Sequence, residues 1–255
     1  GVLTPDSRAA GRHIYGATLD SIGLRITPHL RINDDTDFAE QANPQVVAVG
    51  SDRYLVVWGD DRLGHGEIFG SWRTASGAPI GPNVKISVDP VVGGSYQGEP
   101  ALGATSDGRV LVAWLDGREG GTVFGATFDV YGQSLDATGT PVGGNFKIND
   151  TVTPQRNTTI DVAADNAGGY VVGWIDRRGF PTDPGDAFAQ RYDASRVALG
   201  GNIRVNDDPP GRDQRSLRAI AMPSGAYLIW EDLRGSLGID SNVQAARVGY
   251  DALPA

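Results

Sequence analysis

One short pattern, Trp-x-Asp-x-Arg, recurs four times along this chain and limits the folds open to it. The tryptophans are Trp58, Trp114, Trp174 and Trp230, so successive copies lie 56, 60 and 56 residues apart. The aspartates of the pattern are Asp60, Asp116, Asp176 and Asp232, and the arginines are Arg62, Arg118, Arg178 and Arg234. Self-similarity at such a period is typical of repeat architectures in which each unit is one supersecondary element.

The residues around the pattern recur as well. A glutamine precedes a short apolar strand in each unit, and the unit ends in a strand followed by Asn-Asp or a similar pair. The glutamines are Gln41, Gln97, Gln155 and Gln214. We place the units at about 41–89, 97–150, 155–207 and 214–255, with a partial copy at 1–34. The whole chain, 1–255, is therefore expected to form a single repeat domain.

Each unit is expected to contain four short strands, which we call a to d in chain order. The b strand, YLVVW in the first full unit, is continuously apolar, as expected when both of its faces are buried. The 36 glycines and 15 prolines among 255 residues suit many turns, and no segment has a convincing helical period. The sequence predicts an all-β fold, a β-propeller of four-stranded antiparallel blades, over a sandwich of independent hairpins.

The ends of the repeat leave blade number open. The first copy lacks strand a, and the last lacks strand d after Tyr250 and Asp251. Five blades with two short end blades are favoured. The alternatives are four blades, with an N-terminal strand near 29–33 latching the last blade, or one part of a larger propeller. An open edge also predicts self-association through the incomplete end blades.

Composition excludes several partners. The formal charge is −9 and the pI about 4.7, which disfavours nucleic acid and anionic membranes because both attract a basic face. The absence of cysteine excludes disulfides and thiolate chemistry, and no apolar run is long enough for membrane insertion. We expect a secreted or cell-surface protein.

The recurring residues should lie together, because strands of alternating direction bring the d–a and b–c links to one face. For the tryptophans, a wedge between blades with the indole N–H on a backbone carbonyl is favoured over a sugar-stacking platform. For the Asp-x-Arg pairs, an ion pair that staples the b–c loop is favoured. The expected partner is the acid that opens strand c, which is Glu67, Asp129 or Asp186. A ring of arginines that binds an anion, as in a sialidase, and a calcium loop are the alternatives.

Acidic loops make calcium a candidate cofactor. The candidate ligands are Asp34, Asp35 and Asp37 after one d strand, and Asp207 and Asp208 after another. None of these loops has the EF-hand spacing, and an Asx turn is the favoured explanation of Asn-Asp after a strand.

Asp161 is the one weak catalytic candidate. It interrupts an apolar inner strand, and Arg218 occupies the equivalent slot of the last unit. A buried carboxylate in a central channel can act as an acid or base, but glycoside hydrolysis needs two placed carboxylates. A structural contact between Asp161 and Arg218 across adjacent blades is the alternative.

The units resemble repeats of bacterial and archaeal secreted and cell-surface proteins, often parts of long adhesin-like chains. DAFAQRYDAS with NIRVND, and DVYGQSLDATG with NFKIND, carry the resemblance. It implies a propeller. Repeated, interchangeable residues fit binding or a structural role better than catalysis, because an enzyme needs asymmetry concentrated in one place. We therefore expect a non-enzymatic adhesion module that binds carbohydrate or another surface protein through its glutamines and arginines. The alternatives are a glycosidase- or sialidase-like hydrolase with a central site, and a structural subunit of a surface array or fibre.

Overall fold

The computed structural model describes residues 11–36, 38–88, 94–120, 127–152, 157–165, 168–179, 184–209, 212–223, 225–233 and 242–249. Within these ranges the regular structure consists of β-strands, numbered β1 to β17 in chain order, without any helix. No described segment therefore forms a helix that could cross a membrane.

The strands form five antiparallel sheets that follow one another along the chain. The first sheet contains β1 (Tyr15–Gly16) and β2 (Leu30–Arg31). The second contains β3 (Gln41–Val49), β4 (Arg53–Asp60), β5 (Glu67–Thr74) and β6 (Val84–Lys85). The third contains β7 (Gln97–Ala104), β8 (Val110–Asp116), β9 (Asp129–Leu135) and β10 (Pro141–Lys147).

The remaining two sheets have the same strand order. The fourth contains β11 (Thr158–Ala164), β12 (Tyr170–Asp176), β13 (Asp186–Tyr192) and β14 (Ile203–Arg204). The fifth has three strands among the described residues, β15 (Gln214–Met222), β16 (Gly225–Asp232) and β17 (Asn242–Gly249).

The sheets are the blades of a β-propeller. The first strands of four successive sheets, β3, β7, β11 and β15, contact one another in that order, while the other strands of each sheet follow outward. The predicted fold class is confirmed. The four-bladed alternative was wrong, because β2, the strand expected to latch the last blade, pairs with β1 in a separate N-terminal sheet.

The core lies between the sheets because the b strands are buried on both faces. In β8, Val112 and Trp114 pack towards the second sheet, while Leu111 and Ala113 pack towards the fourth. Alternate side chains of a strand point to opposite faces, so one continuous apolar strand supplies two separate cores.

Each inner strand carries a β-bulge at the same place. The pairing register shifts near the start of β3, β7, β11 and β15, and one residue there adopts a left-handed backbone conformation. These residues are Asn43, Glu99, Thr159 and Ser216, with φ of 53°, 51°, 44° and 55°. Each follows by two positions a buried amide side chain, namely Gln41, Gln97, Asn157 and Gln214. Asn157 therefore takes the slot assigned to Gln155, which lies outside the described residues.

The last sheet keeps one face uncovered. Tyr227, Ile229 and Val243 are 39%, 38% and 73% exposed, although the equivalent positions of the third sheet are buried against the fourth. Self-association through this end of the repeat stays a prediction.

Candidate functional site

The recurring tryptophans are wedges between blades. Trp58, Trp114 and Trp174 are fully buried, and each belongs to a core cluster shared by two sheets. Their Nε1 atoms donate to Oδ2 of the aspartate two residues later, at 2.7, 2.8 and 3.1 Å. The expected wedge is present, but the expected carbonyl acceptor was wrong, because the aspartate of the same motif reaches back over the indole.

The same aspartate also binds the arginine of its own motif. Arg118 donates from Nε and Nη2 to the two carboxylate oxygens of Asp116 at 2.9 and 2.7 Å, and its guanidinium lies 4.1 Å from the ring centroid of Tyr131. Arg62 lies over Phe69 at 4.3 Å and Arg178 over Phe188 at 4.0 Å in the equivalent places. A charged hydrogen-bond pair beside a cation–π contact holds down the b–c loops that contain Arg62, Arg118 and Arg178.

The partner predicted for these arginines was wrong. The acids that open strand c bind cations of strand d instead. Lys85 contacts Glu67 at 2.5 Å, Lys147 contacts Asp129 at 2.9 Å, and Arg204 contacts Asp186 at 2.7 Å. Strand d lies beside strand c, so its cations are nearer than the arginines of the b–c loop.

Two of the motif arginines also fasten their blade to the preceding one. Arg62 Nη1 lies 2.8 Å from Asp34 of the N-terminal sheet, and Arg178 Nη2 lies 3.1 Å from Asp150, which follows β10. The guanidinium planes and donors are therefore engaged within the fold. This arrangement argues against an anion-binding ring of arginines, and Arg234 lies outside the described residues.

The glutamines proposed as ligand contacts are buried instead. Gln41 accepts from Asn33, Gln97 donates to Ser95 at 2.9 Å, and Gln214 donates to Asp208 at 3.0 Å. They tie the start of each inner strand to neighbouring loops. We reassign them to this structural role, since their amides do not reach the surface.

The proposed calcium ligands already accept hydrogen bonds. Asp34 accepts from the backbone N–H of Asn83 at 2.8 Å, Asp35 accepts from Asn33 at 2.5 Å, and Asp208 accepts from Asn206 at 2.6 Å. Asp207 follows Asn206, and Asp37 lies outside the described residues. In the described part of the chain, no group of three or more acids and histidines is arranged to hold a metal ion.

A cavity of about 570 Å³ opens where the bulged starts of the inner strands converge. Its position on the axis of the propeller is a usual place for a ligand site, because loops on a rigid scaffold meet there. Its lining comes from four blades, and the residues that line it differ from blade to blade. The principal lining residues are Tyr96, Glu99, Phe128, Asn157, Arg177 and Arg218.

One wall of this axial cavity is aromatic. The rings of Tyr96 and Phe128 lie 5.5 Å apart at an interplanar angle of 55°, and both side chains are half-buried. Leu115, Pro100 and Ile160 extend the apolar lining. Burial raises the pKa of the Tyr96 phenol, which stays neutral and able to donate a hydrogen bond.

The lining of the axial cavity also contains a buried amide without a partner among the described residues. Asn157 is fully buried, yet neither Nδ2 nor Oδ1 has a hydrogen-bond partner among the described residues. The Nε of Arg177 is likewise buried and unpaired within that part of the chain. Unsatisfied buried polar groups are destabilising, so such a pair in a cavity wall indicates groups that a ligand or water satisfies.

The charged residues of the cavity are only loosely paired within the protein. Arg218 donates to the carbonyl of Leu217 at 2.8 Å, and Nη2 of Arg177 lies 3.9 Å from Asp213. Glu99 accepts from Nδ2 of Asn43 at 2.7 Å across two adjacent inner strands.

Asp161 has a different position from the one expected of a catalytic acid. Its two oxygens accept from the backbone N–H groups of Val162 at 2.9 Å and of Ala219, in the next blade, at 2.8 Å. Burial raises the pKa of its carboxyl group, opposed by these hydrogen bonds and by the charge of Arg218. The contact between blades exists, but it joins Asp161 to the backbone of Ala219 rather than to the Arg218 side chain.

Sequence reasoning missed Tyr96, Phe128, Asn157 and Arg177. The available signal was departure from the repeat. Arg177 is the middle residue of Asp-x-Arg, where the other units have Asp61, Gly117 and Leu233. Tyr96 and Phe128 lie in two different loops next to strands of the third sheet, and these loops come together only in the folded chain.

Comparison with known proteins identifies a fold but no family. No family model matches the chain, and no curated protein matches it. Among solved structures, an α-L-arabinofuranosidase from Fusarium graminearum in complex with an iminosugar inhibitor is similar, with a TM-score of 0.54 and 11% identity over 92% of this chain and 70% of that one. An endo-arabinase from Bacteroides thetaiotaomicron is also similar, with a TM-score of 0.48 and 14% identity over 84% of this chain and 78% of that one.

Proposed function

We propose that this protein binds a carbohydrate in the axial cavity. The observation that carries the proposal is the buried, unpaired amide of Asn157 in the wall of a cavity that also contains Tyr96 and Phe128. Sugars present apolar C–H faces beside hydroxyl groups, so a site for them combines aromatic rings with a few placed polar groups.

The dimensions of the axial cavity suit this class of ligand. Its volume of about 570 Å³ lies in the range of small-molecule sites, roughly 300–1,000 Å³. Thr158, Thr159 and Ser216 add hydroxyl groups to the lining. A sugar of one or two rings could place one face on the aromatic wall and its hydroxyls on Asn157.

The cavity also changes which binding mode we favour. The adhesion hypothesis anticipated near-equivalent pockets between blades. The axial cavity is instead lined by unlike residues of four blades, which suits one site with one kind of ligand. The α-L-arabinofuranosidase that shares the fold makes arabinose-containing glycans the first compounds to screen.

Glycoside hydrolysis is the second candidate function. Glu99 supplies a carboxylate to the lining, and Asp161, on the inner strand β11, has a pKa raised by burial. The reaction requires two carboxyl groups placed on either side of the bond, whereas Asp161 is not part of the cavity lining. The two backbone hydrogen bonds of Asp161 favour a structural role, so binding ranks first.

The test is a titration of glycans by calorimetry against matched variants. Phe128→Ala and Asn157→Ala should each weaken binding about tenfold or more, which corresponds to about 1.4 kcal/mol. Phe38→Ala is the control, because Phe38 is 74% exposed and lies outside the cavity lining. Binding that survives both cavity substitutions at wild-type affinity would refute the proposal.

Hydrolysis is tested separately by the release of reducing ends from the glycans that bind. Turnover that disappears in Glu99→Gln and Asp161→Asn, while binding persists, would make the protein a hydrolase. Binding without turnover at high protein concentration would establish a binding module.

A further inference from the structure

We infer that the axial cavity selects a sugar that bears a carboxylate, such as a uronic acid residue of an acidic polysaccharide. This inference rests on the proposed function and names its ligand class. Among the described residues of the lining there are two guanidinium groups, those of Arg177 and Arg218, and one carboxylate, that of Glu99. Asp213 and Asp161 lie near these arginines but outside the lining.

The positive lining contrasts with the rest of the protein. The chain has a formal charge of −9, so excess arginine in one cavity is a local feature and not a consequence of composition. A cavity with low-dielectric walls concentrates the field of the charges that line it. An anionic group is therefore attracted to this part of an otherwise acidic molecule.

Neither arginine is needed to build the propeller. In the other units the position of Arg177 is occupied by Asp61, Gly117 and Leu233, each in the same Asp-x-Arg motif of the repeat. The position of Arg218 in its inner strand is held elsewhere by Gln45, Ala101 and Asp161. Residues that depart from a structural repeat and converge on one cavity are better explained by a ligand than by the scaffold.

The pairing of the two guanidinium groups leaves donors for a ligand. Arg218 makes its hydrogen bond to a neutral carbonyl, that of Leu217, and Arg177 lies 3.9 Å from Asp213, beyond hydrogen-bond distance. The motif arginine Arg178, by contrast, donates to Asp176 at 2.8 Å and lies over Phe188. Arg177 and Arg218 are thus less fully paired than the motif arginine next to them.

Arginine suits a carboxylate in particular. Its planar fork of N–H donors matches the two oxygens of a carboxylate, and such pairs are stronger than neutral hydrogen bonds. The buried Nδ2 of Asn157 provides a further donor beside Arg177. A uronic acid would place its carboxylate among these donors and its ring against Tyr96 and Phe128, leaving Glu99 as an acceptor for hydroxyl groups.

The experiment compares acidic oligosaccharides with their carboxyl-reduced counterparts, in which a hydroxymethyl group replaces the carboxylate at C6. We expect the wild-type protein to bind the acidic sugar at least tenfold more tightly, and this preference to weaken as salt is raised. Arg218→Gln and Arg177→Gln should each remove most of the preference, measured as the ratio of the affinities for the acidic and the neutral sugar, because each removes a guanidinium group from the lining. Arg25→Gln, on the exposed surface of the N-terminal sheet, is the matched control and should retain the preference.

The outcomes separate this inference from the proposed function. Equal or tighter binding of the neutral sugar, with Phe128→Ala still harmful, overturns the carboxylate preference and keeps the carbohydrate site. Absence of binding by either sugar overturns both. Displacement of the acidic sugar by acetate or inorganic phosphate at equal concentration would reveal a general anion site and would also overturn the inference. Near-UV circular dichroism confirms that each variant is folded.

Discussion

At the scale of single residues, the aspartate of Trp-x-Asp-x-Arg binds both of the other residues of its motif. Asp116 is buried and accepts from the indole of Trp114 and from the backbone and guanidinium of Arg118. A buried carboxylate is tolerated when charged and neutral donors together satisfy it. In the three blades that contain Trp58, Trp114 and Trp174, the motif provides a space-filling indole and the acceptor for its N–H.

The chain contains its own control for the value of that indole hydrogen bond. Trp230 is almost fully buried like Trp114, but its Nε1 has no partner among the described residues. Trp114→Phe should therefore lower the free energy of unfolding by about 1–2 kcal/mol more than Trp230→Phe does. Urea denaturation of the two variants measures the difference, and equal losses would contradict the role given to Asp116.

At the scale of elements, the bulged inner strands connect the scaffold to the axial cavity. The bulge turns the first residues of each strand away from regular pairing, which brings side chains such as Glu99, Thr159 and Ser216 to the cavity. Bulges commonly re-aim side chains beside functional sites. Thr159 is the residue least suited to this backbone, because it is β-branched and has a φ of 44°.

Relieving this strain should stabilise the protein. Thr159→Asn places a residue that tolerates the left-handed region at the bulge, so the free energy of unfolding should rise by about 1 kcal/mol. Thr158→Asn is the control, since Thr158 precedes the strained position, and it should give no gain. The measurement is urea denaturation, and a loss of stability in Thr159→Asn would show that the threonine hydroxyl or methyl group outweighs the strain.

At the scale of the whole molecule, asparagines join the outer edges of successive blades. Asn202 donates to the carbonyl of Ile148 at 3.1 Å and accepts from the backbone N–H of Asp150 at 2.6 Å, so it links the fourth sheet to the third. Asn83 and Asn145 make the same two contacts to the sheets before theirs. Tryptophan wedges and asparagine links together make each blade depend on its neighbour.

Breaking one link should therefore weaken more than its own blade. Asn202→Ala leaves the backbone groups of Ile148 and Asp150 without this partner, and we expect a loss of about 1–3 kcal/mol in the free energy of unfolding. Hydrogen exchange should accelerate in both the third and the fourth sheet. Ser195→Ala, in the same fourth sheet, is the control, because Ser195 binds Asp193 of its own turn through a backbone N–H that the substitution keeps. Faster exchange confined to the fourth sheet would contradict the linking role.

The fold could be predicted from the sequence because each copy of the repeat contains the same residues that stabilise a blade. A strand such as YLVVW, buried on both faces, and a tryptophan at a period near 56 residues specify sheets stacked side by side. Strand order and the role of the indoles follow from these local patterns. The acceptor of each indole N–H could not be predicted from these patterns, because a carboxylate two residues away and a carbonyl in another blade are equally compatible with the spacing.

The axial cavity was decided by the tertiary structure alone. Tyr96 and Phe128 belong to different loops of one unit, Asn157 and Arg177 to the next unit, and Arg218 to the last. Their approach depends on the angle between blades and on the bulges, which arise from packing across the whole molecule and leave no local pattern. The repeat in the sequence therefore determined the architecture of this protein. Only the tertiary structure brought the residues that depart from the repeat together, because they meet in one cavity where the blades converge.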